Sequence, residues 1–214
     1  MYAVKAMPRP RSLTPAQLAA AALAVVDRDG LAGLTMRAVG KELGTSTMAL
    51  YRYVADREEL EGLVVELVLD RVDSTPPADL PWPERLRVLV ERVRAATGAH
   101  PAVVPLFPAH RHRSPGVLRW SEAVLGVLTE AGFDGTRRVI ALRGLLSYVI
   151  GAIQLEHLGP LSGSGTVTMA QLPRTDFPLM AETAQAARQV GPDEEFGGGL
   201  DVLLRGLVAH SDRD

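Results

Sequence analysis

The chain has 214 residues, 47% hydrophobic and 22% charged, the composition of a globular protein rather than a disordered one. It has no cysteine, which excludes disulfides, thiolate nucleophiles and cysteine-based zinc sites. The net charge of -2 hides an asymmetry: residues 1–57 hold eight Lys or Arg against four acids, the remainder fifteen against twenty-one, which directs the first quarter towards a polyanion.

The N-terminal "MYAVKAMPRPRS" is basic and lacks the apolar core of a secretory signal. No apolar run reaches the roughly 20 residues that cross a bilayer, and the richest stretch, "VIALRGLLSYVIGAI", is interrupted by Arg143. A soluble cytoplasmic protein is expected.

Thr14-Pro15 opens the first helix as cap and first-turn proline, Leu18, Ala21, Ala22, Val25 and Val26 recur at helical spacing, and Gly30 ends it. Thr35 caps a second helix carrying Met36, Val39 and Leu43, which stops at Gly44. Ser46 caps a third, with Leu50 and Val54 as its inward pair. Asp56 begins a fourth, with Glu59 at capping-box spacing and apolar residues to about Val72. Four prolines in residues 76–83 break the pattern. Helical stripes then return at Leu86–Val93, at Pro115–Ala131, over the long apolar stretch Thr136–Leu158, in "FPLMAETAQAARQVG" and at Leu200–Val208. "HPAVVPLF" reads as a proline-kinked piece, and "GPLSGSGTVTMAQLPRTD" as a loop without period. No strand pattern appears. The predicted fold is all-α, with about nine or ten helices.

Two short helices meeting at Gly44, with Thr45-Ser46 starting the second, have the layout of a helix-turn-helix. Over "LTMRAVGKELGTSTMALYRYVADREEL" the chain resembles the tetracycline-repressor (TetR) family. The residues that carry the likeness are Leu34-Thr35-Met36-Arg37, Leu43-Gly44, Leu50-Tyr51 and Asp56-Arg57-Glu58-Glu59-Leu60. "LPWPERL" and "HPAVVPLF" are similar to the subgroup that holds the tetracycline repressors themselves. Two positions depart from the family pattern: Tyr53 stands where His is common, and Arg57 where Lys is. The resemblance implies a three-helix DNA-reading head (residues 1–58) on a helical effector-binding and dimerisation domain (residues 59–214). It implies a homodimer bound to double-stranded operator DNA, most simply a repressor released by a small molecule. Thr35, Tyr51, Tyr53 and Arg57 are then expected on phosphates, Thr47, Met48, Ala49 and Arg52 towards base edges, and Arg37 in either role. Arg9 and Arg11, on the proline-broken arm, are candidates for a minor groove, with a solvated tail as the plainer reading.

In the second domain Gly144, Ser147, Gly151 and Ala152 give the long helix a small-residue face, and Leu200, Leu203, Leu204 and Leu207 give the last helix an apolar one. Together they are the expected dimer interface. An effector pocket is expected to draw on Phe107, Trp120, Tyr148 and Met169 for its lining and on His100 and Gln154 for polar contacts, with residues 159–175 as a lid. His110 and His112 stand two apart without HExxH spacing, so no metal is expected. No cofactor is expected either, and no GxSxG, Walker loop or Rossmann glycine run suggests an enzyme. The competing class is a helical ligand-binding or interaction module with a non-functional reading head.

Overall fold

The structure, a computed structural model, describes residues 13–211, and Arg9 and Arg11 lie outside that range. Helices are the regular structure of the described residues, which contain no strand. α1 (Pro15–Gly33), α2 (Met36–Glu42) and α3 (Thr47–Leu50) form the head, and α4 (Arg57–Leu69) leads away from it. The body consists of α5 (Trp82–Gly98), a 3-10 segment (Pro101–Leu106), α6 (Phe107–His110), α7 (Pro115–Glu130), α8 (Gly135–Leu158), α9 (Ser164–Ala170), α10 (Pro178–Ala187) and α11 (Pro192–Ser211).

Local chemistry sets the head. Thr14 accepts the N–H of Gln17, whose side chain returns to the Thr14 backbone, and Pro15 fills the first turn. Thr35, Ser46 and Asp56 each accept the N–H three residues on, from Ala38, Ala49 and Glu59. Each such cap stabilises its helix by about 1 kcal/mol. The Glu59 carboxylate reaches back to the N–H of Ala55. Gly30 breaks α1 at φ 69°, and one further turn carries it to Gly33. Gly44, at φ 63°, turns the chain between α2 and α3: its N–H bonds to the Lys41 carbonyl, and that of Thr45 to the Gly40 carbonyl at 2.9 Å. Gly40 is buried, and a Cβ there would lie 3.0 Å from the Thr45 carbonyl oxygen. Leu18, Val26, Leu34, Val39, Leu50 and Leu60 close the small core that fixes the angle of α3.

α4 belongs to both halves. It packs on α1, and its other sides meet α5, α6, α7 and the 3-10 segment. In the body, the Trp120 indole donates to the Leu89 carbonyl at 2.9 Å, which joins α7 to α5. α8 buries only Ala141, Leu145, Val149 and Ile153, a single stripe at i, i+4 spacing. Leu142, Leu146 and Ile150 are partly buried against the core, whereas Val139, Ile140, Leu155 and Leu158 are exposed. By length and composition alone the helix is apolar enough to cross a membrane. α11 lies along α8 and α5.

The chain departs from the sequence reading in four places. α3 ends at Leu50, so Tyr51, Arg52 and Tyr53 lie on the turn that follows it. α4 ends at Leu69 rather than Val72. "HPAVVPLF" divides between the 3-10 segment and α6, because Pro105 and Pro108 cannot donate to a continuous ladder. The stretch read as a loop contains α9, which packs on α10 and buries Thr166. Less than two turns long, α9 shows no apolar period that could announce it.

Candidate nucleic-acid interface and effector cavity

α2 and the α3 turn present one exposed face. Met48 is 74% exposed and Tyr51 51% exposed. Arg37 and Arg52 are exposed and meet no ion-pair partner among the described residues. Lys41, one helical turn on from Arg37, is equally open. Sequence reasoning passed over it, although i, i+4 spacing from Arg37 marks it as sharing that face. Thr47 and Ala49 are half-buried beside Met48, and the exposed Thr35 hydroxyl caps α2. Tyr53 is half-buried against the head core rather than fully outward. Arg57 differs from the expectation of an open phosphate clamp. Its Nε is 2.7 Å from a Glu61 carboxylate oxygen and its Nη2 donates to the Leu31 carbonyl at 2.9 Å, so the guanidinium ties α4 to the end of α1.

The six expected pocket residues do not come together. Phe107 and Trp120 line an apolar cavity of about 250 Å³ between α4, α5, α6, α7 and α8, with Leu142 and Leu146 opposite and Arg111 and Arg143 as its charged members. His100 instead pairs with Asp27 of α1 at 2.8 Å, linking body to head. The Tyr148 hydroxyl donates to the Phe196 carbonyl and its ring packs on Phe196 at 5.4 Å. Burial holds the Tyr148 phenol above its ordinary pKa, which keeps it a neutral donor. Gln154 lies further along α8, outside the lining, and Met169 sits half-exposed on α9. None of residues 159–175 borders the cavity. A wider cleft of about 750 Å³ between α5, α8 and α11 is open and of mixed lining, and its Arg94 is already paired with Glu156 and Asp193.

The expected dimer residues divide in the same way. Leu200 and Leu204 are buried within the chain and serve its own core. Leu203 and Leu207 are half-buried, and a Cβ on Gly144 would meet Leu203 at 3.9 Å, so Gly144 sits where α8 and α11 of one chain approach. Ser147 is exposed and Gly151 half-exposed. Both lie on a stripe with Ile140, Leu155 and Leu158, which are 66%, 65% and 79% exposed.

Between cavity and head lies a tight joint. Leu69, at the end of α4, forms part of the cavity wall. One turn earlier, Glu66 accepts from the Ser114 hydroxyl at 2.7 Å and from the Gly116 N–H at 3.0 Å, holding α4 to the start of α7. Gly116 leaves no slack: a Cβ there would lie 2.8 Å from Leu69 Cβ. His110 is buried against Gly62, with Nε2 3.5 Å from a Glu61 oxygen.

A helix-turn-helix joined in this way to a helical body with its own cavity has clear counterparts. Residues 18–60 match the model for bacterial regulatory proteins of the tetR family, and residues 75–210 match the tetracyclin repressor-like C-terminal domain. The chain belongs to the TetR family. This TetR-family protein is 32% identical over 217 residues to the HTH-type transcriptional repressor DrrR1 of Streptomyces coeruleorubidus, covering 94% of this chain and 78% of that one. It is 30% identical over 201 residues to the class A tetracycline repressor of transposon 1721 from Escherichia coli, covering 92% and 91%. Among solved structures, a possible TetR family regulator from Streptomyces coelicolor A3(2) superposes with a TM-score of 0.82 at 29% identity, covering 92% of this chain and all of that one. Apo ActR from Streptomyces coelicolor gives 0.77 at 26%, covering 96% and 98%. As a TetR-family member, the protein is a DNA-binding transcriptional repressor.

Proposed function

We propose that the protein acts in the cytoplasm as a homodimer whose two heads, residues 1–58, bind a palindromic operator. A small molecule seated among Phe107, Trp120, Leu142 and Leu146 then releases it from the DNA. Residues 59–214 form the effector and dimer domain, with α4 as the lever between the two. Arg37, Lys41, Thr35 and Tyr51 contact phosphates, while Met48, Arg52 and the half-buried Thr47 and Ala49 reach towards base edges. Arg57 braces the head. The observation that carries the reading is the double attachment of α4. Its last residues wall the cavity and are locked to α7 by Glu66, while Arg57 at its first turn is tied to the head. A ligand that favours a different cavity shape therefore favours a different spacing of the heads.

Fluorescence anisotropy of the full chain tests this reading, using a DNA fragment from upstream of its own coding region and a scrambled fragment. Specific binding should exceed binding to the scrambled fragment by at least about a thousandfold. Equal affinity for both fragments would refute operator recognition.

A further inference from the structure

We propose that the cavity selects an apolar ring system bearing a negative charge (a carboxylate, sulfonate or phenolate) and that Arg111 and Arg143 are the residues that select it. The inference rests on the reading of this cavity as the effector site. The lining contains two charged residues, both arginine, and no acid. The body is acidic in sum, and its Arg85, Arg87, Arg92, Arg94, Arg113 and Arg119 each meet a carboxylate. Arg143 meets none among the described residues. Arg111 donates only to the Pro108 carbonyl, at 2.6 Å, three residues back on its own segment.

The placement of Arg143 adds to the argument. It stands exposed on a helix apolar enough to cross a membrane, between Leu142 and Leu146 of the cavity wall, so its charge sits at the rim of that wall. A guanidinium fork presents paired donors that match a carboxylate or sulfonate, and at the edge of an apolar cavity that attraction is screened less than in open water. The remaining wall supplies ring contacts. The Trp120 N–H is satisfied by Leu89, which leaves the indole as an apolar surface beside Phe107. A cationic ligand would meet two like charges and no counter-charge.

Two naphthalene dyes of one ring system separate the possibilities: anionic 1-anilinonaphthalene-8-sulfonate and neutral N-phenyl-1-naphthylamine. Binding is read from dye emission and from quenching of Trp120 in a Trp82→Phe background, since the chain has two tryptophans. Occupancy of the cavity is the part of the signal lost in Leu146→Phe, which fills it. The anionic dye should bind the cavity about tenfold more tightly, the scale of one partly shielded charge-assisted hydrogen bond. In Arg111→Gln/Arg143→Gln that preference should vanish while the neutral dye binds as before, which also shows that the variant is folded. Equal binding of the two dyes, or a preference that survives the double variant, overturns anion selection and leaves the cavity as a ligand site. Dye binding indifferent to Leu146→Phe overturns both readings.

Discussion

Arg52 and Arg57 are five residues apart and are used differently. Arg52 projects from the turn after α3 without a partner among the described residues, whereas Arg57 holds Glu61 and the Leu31 carbonyl. Truncating the first should leave the melting temperature unchanged and reduce operator affinity by about 1–3 kcal/mol, with relaxed preference at one base pair. Truncating the second should lower stability by about 1 kcal/mol, because a half-exposed ion pair is worth little and the carbonyl bond adds the rest. Thermal melting with anisotropy on both DNA fragments distinguishes them. If Arg57→Ala melts like the parent yet binds every sequence less well, its guanidinium is a phosphate contact and the bracing role fails. The helix caps at Thr14, Thr35, Ser46 and Asp56 were legible in the sequence because a cap and the N–H that donates to it lie within three residues. The Arg57–Leu31 bond spans 26 residues and the His100–Asp27 pair 73, so only the assembled fold shows them. Arg143 was visible as a charge interrupting the longest apolar run, and its meaning awaited the cavity.

At the scale of elements, α4 has to be stiff and held at both ends to work as a lever. Glu66 supplies the hold at the body end. In Glu66→Ala the Gly116 N–H and the Ser114 hydroxyl lose their acceptor at a site where a Cβ cannot be fitted, which should cost about 1–3 kcal/mol. Amide exchange at Gly116 should quicken, and operator affinity should change although no residue of the DNA face is altered. Glu66→Gln, which keeps an acceptor, should restore much of both. Unaltered Gly116 exchange and operator affinity in Glu66→Ala would show that the joint does not hold α4. None of this was legible beforehand, because Glu66 reads as an ordinary polar position on an amphipathic helix. The stripe of Leu60, Val64 and Leu67 announced that the helix exists, but not that its polar side meets a second partner. α8 posed the opposite problem. Its period was blurred because one side packs inward and another carries apolar residues that remain outside, and a sequence cannot say which apolar stripe is the core.

For the molecule as a whole, the outward stripe of α8 requires a cover. Ile140, Leu155 and Leu158, and Val202 of α11 at 65% exposure, are large apolar side chains left open on these two helices, the kind of surface that marks an interaction site. Ser147 and Gly151 keep the middle of the stripe low enough for another helix to approach closely. In the proposed homodimer a second copy covers it by pairing α8 and α11 with their counterparts, an arrangement that would also set two basic heads on one side of an acidic body. Leu155→Glu puts two like charges into that two-fold contact and leaves the buried Leu145, Val149 and Ile153 untouched. The variant should therefore keep its helical content and sediment as a monomer where the parent sediments as a dimer at micromolar concentration. With one head, operator affinity should fall on the order of a hundredfold or more, since the second half-site no longer binds as part of the same molecule. The dependence of that affinity on salt should fall too. Each neutralised phosphate contributes about 0.9 to the slope of log affinity against log salt, so removing one of two identical heads should roughly halve it. A Leu155→Glu protein that sediments as a dimer and keeps the full slope would place the subunit contact elsewhere on the surface. A monomer with the full slope would mean that a single head makes all the phosphate contacts.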